Sequence, residues 1–514
     1  MNRQIRNLGI ALMCCYLALF VKLNLLQVVD APALNARPDN SRKIVRDFNQ
    51  PRGDIVTADG KVIAHSEEAR GLYAFQRTYP MSDLFAHVTG TFTFNFGSDG
   101  VERQYSDELS GHTAAFQLRG LTNPFVDTAN VGTVQLTLRA DVQQAAKDAL
   151  GKRKGSVVVT DPRSGAILAM WSYPSYEPNL VAINDPKNAA AFRNALLADP
   201  DKPLLSQAYR ERFFPGSTFK VVTASAGLES GKVTEAAPLY VRASGYTPPL
   251  TTRSISNFGG EVCGGTLFEL LKVSCNSGFA EMGSRTLGPE IMVKEAEDFG
   301  FNAAPPIDLP QPAKSIFPTD FGKRLRAGAA PGDADIFENT PLLAQNSIGQ
   351  GDVSSTPLEM ALVASAIANG GSIMAPHVMA EIHDSNGGVV ERYQDSVWKQ
   401  AVSAGTAATM RAAMEGVVNG GTATGLALNG FVVGGKTGTA QLGTSPAKSH
   451  AWIIGYAGEA GKPPRVAVSV LVEGQAGASE QTGGKVAAPI AKRVLQVALA
   501  APALSGSSTA PGHG

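Results

Sequence analysis

A serine becomes a nucleophile when a neighbouring group takes its proton. Where histidine is not used, a lysine three residues later on a helix can serve, because positions i and i+3 share a face. Ser217 and Lys220 have this spacing, as do Ser396 with Lys399 and Ser445 with Lys448. The spacing alone selects nothing, so the flanking residues must. Ser396 follows the charged stretch Glu391-Arg392-Tyr393-Gln394-Asp395 and Ser445 is followed by Pro446, and both read as solvated surface. Ser217 instead follows Pro215-Gly216 and opens the apolar run Val221-Val222-Thr223-Ala224, which ends at Ser230-Gly231. That context predicts a helix N-terminus, where backbone N–H groups and the helix dipole stabilise a developing oxyanion. Partial burial and a second cation nearby would lower the Lys220 pKa until its amine accepts the serine proton near neutral pH.

A second polar cluster should then face the first. Ser274-Cys275-Asn276 is the only Ser-x-Asn in the chain, and it follows a short helix begun by the capping box Thr266 to Glu269. Lys436-Thr437-Gly438-Thr439 holds the only Lys-Thr-Gly. It follows Val432-Val433-Gly434-Gly435, a strand pattern whose glycines mark a close approach of backbone or ligand. Taken singly these are a helix cap, a polar loop pair and a glycine-rich turn. In this order they are the Ser-x-x-Lys, Ser-x-Asn and Lys-Thr-Gly set of penicillin-binding proteins and serine β-lactamases, with Cys275 where the Ser-Asp-Asn form has its aspartate.

The elements that must position these residues are legible around them. Val157-Val158-Val159 and Ala166 to Trp171 are strand-like runs joined by the turn Asp161-Pro162-Arg163-Ser164-Gly165, a hairpin. Pro357 to Asn369 reads as a helix with Thr356 as cap, Pro357 at the first position and Glu359 completing a capping box. Ala451 to Ala457 and Val466 to Val472 are strand-like, and a helix from about Val486 to Ala498 follows. Strands, a helical middle, then strands and a helix predict an α+β fold, a sheet covered by helices. Residues 31–150 show no continuous repeat or helical pattern and read as an irregular pedestal, residues 151–500 as the catalytic domain, and residues 501–514, rich in Ser, Gly and Pro, as a disordered tail.

The 514 residues, 44% hydrophobic, suffice for about three domains by length. Lys plus Arg and Asp plus Glu both total 45, so no basic field exists to hold nucleic acid. Residues 1–30 read as a cytoplasmic tip and a membrane anchor: Leu8 to Val29 is apolar enough to cross a bilayer, with Arg3 and Arg6 ahead of it. The positive-inside rule puts the N-terminus in the cytoplasm and the rest outside. Lys22 and Asn24 weaken the span, although a lysine near its end can snorkel. Ala31-Pro32-Ala33 loosely resembles a signal-peptide cleavage site, but the apolar run is long for one and the proline is awkward there, so a retained anchor is favoured. Of four cysteines, Cys14 and Cys15 lie in that run. Cys263 and Cys275 either form a bridge closing a short loop or remain buried thiols.

The chain resembles the class B penicillin-binding proteins, most of all their actinobacterial A branch. The likeness rests on the anchor, Arg52-Gly53-Asp54-Ile55 with Asp59-Gly60, the Asp161 to Asn179 hairpin region, Phe214 to Lys220, Gly349-Gln350-Gly351 and His450-Ala451-Trp452. It implies a transpeptidase domain of the penicillin-binding and serine β-lactamase fold on a smaller, dimerisation-like pedestal. It also implies a D,D-transpeptidase that cross-links peptidoglycan stem peptides and is acylated by β-lactams. Ser217 would be nucleophile, Lys220 its base and Ser274 the proton relay; Asn276 would hold the substrate amide and Lys436 supply positive charge. Thr437, Gly438 and Thr439 would bind substrate, the two threonines through its carboxylate. The backbone N–H groups of Ser217 and Thr439 would form the oxyanion hole. No cofactor or metal is required. Residues before Gly155 carry too little pattern for a glycosyltransferase, which implies a separate polymerase of the SEDS family as partner.

Four other readings stand beside this one. Gly430 to Thr437 matches the P-loop pattern, but Gly438 to Pro446 has the composition of a strand edge and loop where a P-loop needs a helix. Arg52-Gly53-Asp54 reads as a turn, not an adhesion signal. A hydrolase of the same fold, carboxypeptidase or β-lactamase, shares the acylation half of the reaction, but no Glu-x-x-Leu-Asn follows Asn276 to activate water. The fourth is a membrane-anchored scaffold of the division or elongation machinery. His450, at the start of a strand, reads as structural.

Overall fold

The computed structural model describes residues 2–26, 41–116, 131–445, 448–474 and 482–500. At its centre is a five-stranded antiparallel sheet in the order Val432–Gln441, Ser449–Gly458, Val466–Val472, Gly155–Thr160, Ile167–Tyr173. Every residue of Val466–Val472 and of Gly155–Thr160 is buried, which requires both faces of the sheet to be covered. The fully buried helix Pro357–Ala368 packs on it, as do Ala140–Leu150 and Ala488–Ala500, which also pack on each other. Val432–Gln441 is an edge strand, with the helix Ala404–Gly420 against it.

The helix Ala140–Leu150, absent from the expected elements, buries Val142, Ala145, Ala146 and Leu150 at helical spacing, together with Ala140 and a glutamine. Gln143 is buried at no net loss of hydrogen bonds: its Nε2 donates to the carbonyls of Leu84 (2.8 Å) and Met170 (2.9 Å), and its Oε1 accepts from the Met170 N–H. This helix, on the N-terminal side of the boundary expected at residue 150, packs on the central sheet. The converse also occurs. A six-stranded sheet runs in the order Val389–Arg392, Met379–His383, Thr133–Leu136, Ile55–Val56, Val62–Glu68, Phe75–Thr78, so two strands from the far side of that boundary complete the pedestal.

The pedestal is anchored by charge. Arg52, first residue of the Arg-Gly-Asp tripeptide, which leads into the strand Ile55–Val56 with no turn, is buried, as are Arg77 and Glu102. The two guanidinium Nε atoms each donate to one Glu102 carboxylate oxygen at 2.6 Å. On the catalytic side, Arg210 makes a bidentate pair with Asp99 of the pedestal, at 2.7 and 2.8 Å, and also donates to the Pro310 carbonyl. Arg210 lies just upstream of Ser217, so this pair ties the pedestal to the segment that carries the candidate nucleophile.

At the start of Pro357–Ala368 the capping box is only half made. Thr356 accepts from the Glu359 N–H, but the Thr356 N–H donates to Ser315 Oγ, and neither Glu359 carboxylate oxygen has a hydrogen-bond partner among the described residues. Glu359 is fully buried, and burial pushes its carboxyl up to about 8. A folded-state value raised above the unfolded 4.5 means that the associated stability is intact below about 4.5 and is lost as pH rises toward about 8. Glu359→Gln is therefore expected to shift stability more favourably at pH 7 than at pH 5, by about 2.5 kcal/mol. Denaturant midpoints at the two pH values measure this, and an equal shift at both would sink it.

The N-terminal helix Asn2–Asn24 contains a stretch, Arg3–Asn24, long and apolar enough to cross a membrane. Residues 27–29 of the expected span, the Ala31-Pro32-Ala33 segment and the tail 501–514 lie outside the described residues.

Candidate active site

Ser217 sits in the 3-10 turn Gly216–Thr218, which runs into the buried helix Lys220–Glu229. Gly216 has φ +54°, a conformation that favours glycine. Its neighbours leave little room for a side chain: a Cβ there would lie 3.0 Å from the Thr439 and Ala440 backbone, and one on Gly438 would lie 3.0 Å from the Pro215 carbonyl. The turn is thus pressed backbone to backbone on the edge strand Val432–Gln441. Gly216 N–H donates to the Gly349 carbonyl at 2.9 Å, and Trp452 Nε1 donates to the Phe214 carbonyl at 3.0 Å.

Ser274 ends the helix Leu267–Val273, whose capping box of Thr266 and Glu269 is fully formed. It is a non-glycine residue in the left-handed region, φ 60°, ψ 44°, a conformation that costs of order 1 kcal/mol or more and clusters at functional sites. Several bonds hold it there. Cys275 is joined to Cys263 in a disulfide with Cα atoms 5.8 Å apart, the Cys275 N–H donates to the Leu270 carbonyl, and Asn276 Nδ2 donates to the Ser256 carbonyl at 2.9 Å. Asn276 opens the next helix, Asn276–Glu281.

Two fully buried lysines converge on this corner. Lys220 Nζ donates to the Ser274 carbonyl at 2.7 Å and to Asn276 Oδ1 at 2.6 Å, and lies 3.4 Å from Ser274 Oγ. Lys436 Nζ donates to Ser274 Oγ at 2.8 Å and to the Thr437 carbonyl at 2.8 Å. The Ser274 hydroxyl therefore lies within reach of both amines. Burial pushes the Lys220 ammonium well below the ordinary lysine range, and the charge of Lys436 lowers it further. Burial alone brings Lys436 down to about 7. Such a pair can hold one neutral amine as base beside one cation.

Residues 155–496 match the penicillin binding protein transpeptidase domain family, and residues 52–134 match the penicillin binding protein A dimerisation domain. The first match covers more than half the chain. The chain belongs to the penicillin-binding transpeptidases. Two relatives are named peptidoglycan D,D-transpeptidase PbpA. The Mycolicibacterium smegmatis protein is 35% identical, across 97% of this chain and 99% of its own, and the Mycobacterium tuberculosis protein is 34% identical over the same shares. The solved imipenem acyl-enzyme complex of penicillin-binding protein A from M. tuberculosis superposes with a TM-score of 0.77 at 32% identity, covering 88% of this chain and all of that one.

In this penicillin-binding transpeptidase the structure gathers Ser217, Lys220, Ser274, Asn276, Lys436, Thr437, Gly438 and Thr439 around the junction of three elements. Ser217 and Thr439 are half-buried and Thr437 buried. Ser396 and Ser445 are exposed. Residues Val432–Gln441 form one continuous strand, so the P-loop match has no phosphate-binding turn or helix. His450 is buried, its ring edge-on to Phe213, with Nδ1 accepting from the Gly474 N–H at 3.1 Å, and burial lowers it to about 4. It is structural. One polar neighbour was not legible in the sequence: Thr422 Oγ1 lies 2.6 Å from Thr437 Oγ1. Gly420-Gly421 before it signals only the end of a helix.

Proposed function

We propose that Ser217 of this penicillin-binding transpeptidase carries the acyl group of a peptidoglycan stem peptide while a neighbouring stem peptide attacks it. The chain is a serine-type peptidoglycan D,D-transpeptidase that acts in cell-wall synthesis and is acylated by β-lactams. The observation that carries the residue roles is the pair of buried amines at the Ser274 hydroxyl, one of them strongly depressed.

Ser217 Oγ attacks the carbonyl of the penultimate D-Ala, and its proton passes to neutral Lys220 Nζ. The oxyanion of the tetrahedral intermediate is stabilised by the backbone N–H groups of Ser217 and Thr439. The C–N bond breaks as the leaving D-Ala amine takes a proton from the Ser274 hydroxyl, which is replenished from the protonated lysine. Asn276 holds the substrate amide, Lys436 provides the cation, and Thr437 with Thr439 binds the terminal carboxylate. The acceptor amine then attacks the ester, loses its proton along the same relay and frees Ser217. A β-lactam follows the first half only: its ring amide opens, and the leaving amine stays tethered in the site.

Further assignments rest on the sequence. Arg3 and Arg6 favour a cytoplasmic N-terminus and an extracytoplasmic catalytic domain for a single-pass anchor. A SEDS-family polymerase is the proposed source of glycan strands.

The test is partition of the acyl-enzyme. With a peptide donor ending in D-Ala-D-Ala and a D-amino acid as acceptor, D-Ala release is expected to be matched mainly by the amide product, and a penicillin adduct to persist for hours. Hydrolysed donor as the main product, with rapid loss of the adduct, would indicate a carboxypeptidase or β-lactamase instead.

A further inference from the structure

We infer that Thr422 is a positioning residue of the transpeptidase, fixing the Thr437 hydroxyl so that its proton points at the ligand's carboxylate. This rests on the reading that Thr437 binds that carboxylate.

The argument begins with the 2.6 Å contact between the two hydroxyl oxygens. Each hydroxyl has one proton, so of the two only one donates across the contact. A carboxylate presents acceptors alone, and Thr437 can serve it only by giving up its own proton. The Thr437 oxygen must then be the acceptor in the contact and Thr422 the donor. Without Thr422, the Thr437 hydroxyl is a free rotor that must be ordered each time a ligand arrives. With Thr422 donating, it is preorganised, and preorganised donors cost no reorientation at the moment of reaction.

The backbone around Thr422 is fixed from two sides. Its N–H donates to the Lys272 carbonyl at 3.2 Å, in the helix that ends at Ser274. A Cβ on Gly421 would lie 2.3 Å from that same carbonyl, and one on Gly484 would lie 2.6 Å from the Thr422 carbonyl and 3.8 Å from Thr437 Cγ2. Thr422 is itself exposed, but its backbone is held by the helix that presents Ser274 on one side and by the turn Gly483–Ala487 on the other. Its hydroxyl reaches the strand from a backbone hydrogen-bonded to the helix. It touches no reacting atom.

The experiment compares two ligands in the full-length chain: benzylpenicillin and its methyl ester, which lacks the free carboxylate. Thr422→Val keeps the branched shape and removes the hydroxyl, and Thr422→Ser keeps the hydroxyl. The second-order acylation constant for the acid is expected to fall about five- to tenfold in Thr422→Val, the scale of one neutral hydrogen bond. The ester should stay within about twofold of wild type, as should both ligands in Thr422→Ser. Equal slowing of acid and ester by Thr422→Val would overturn the inference, because the residue would then merely support the cleft. No change for either ligand would overturn it too. Thr437→Val is the control for the underlying reading. If it retains the acid-over-ester preference, Thr437 does not bind the carboxylate and the inference about Thr422 falls with it. If Thr437→Val loses the preference while Thr422→Val retains it, the Thr437 reading stands and only Thr422 is excluded. Should Thr422→Val fail to melt cooperatively, Thr422→Ala is read against the same two ligands.

Discussion

Ser217→Ala is expected to abolish covalent labelling by a fluorescent penicillin while leaving the fold intact. The residue sits in a turn fixed by the backbones of Gly216, Gly349 and Thr439, and none of these contacts uses the serine side chain, so alanine keeps the geometry. What is lost is the only oxygen on that turn proposed to attack. Removal of a nucleophile that works as a unit with its base costs on the order of 10⁵ or more in the acylation step. Gel fluorescence and intact mass after an hour should show a stoichiometric adduct on the wild type and none on the variant. A persistent adduct on Ser217→Ala would require another nucleophile. A folded wild type that never labels would remove the catalytic reading and leave the scaffold role.

The second large effect belongs to the lysines. Lys220→Ala leaves the serine proton without an acceptor, and acylation is expected to fall by about 10³ to 10⁴. Because Lys220 works as the neutral amine, the rate falls as pH drops through its depressed pKa. Because Lys436 works as the cation, the rate falls again as pH rises through about 7. The second-order acylation constant, which reports the free enzyme, should thus be bell-shaped. Lys436→Gln supplies the discriminating case. Removing that charge takes away the alkaline limb, and it also removes one of the two causes holding Lys220 down, so the acid limb should move to higher pH. An acid limb that stays in place in Lys436→Gln would mean that the two amines do not sense each other.

The catalytic motifs were legible because their chemistry is local. Ser217 and Lys220 are placed by helical spacing and by the glycine ahead of them, and Ser274 by the capping box that starts its helix. The strands of the central sheet could be read because burial on both faces demands continuous apolar runs. The helix Ala140–Leu150 was not read, although Val142, Ala145, Ala146 and Leu150 have helical spacing, because small alanines and a buried glutamine make that stripe faint. Nor could the recruitment of Met379–His383 and Val389–Arg392 into the pedestal sheet be read, because a strand's sequence does not name its partner. Glu359 looked like an ordinary capping residue until Ser315 took the hydrogen bond that the box assigns to it.

Residue types and order determined the reaction class of this transpeptidase and the residues proposed to perform it. Tertiary structure alone decided that Cys263 bonds Cys275, that Ser274 is held left-handed beside two amines, that Thr422 meets Thr437, and that Lys220 is stripped of water. The division has one physical cause. A hydroxyl or an amine keeps its identity anywhere in the chain, whereas desolvation and the alignment of a hydrogen bond exist only once segments distant in sequence have packed together.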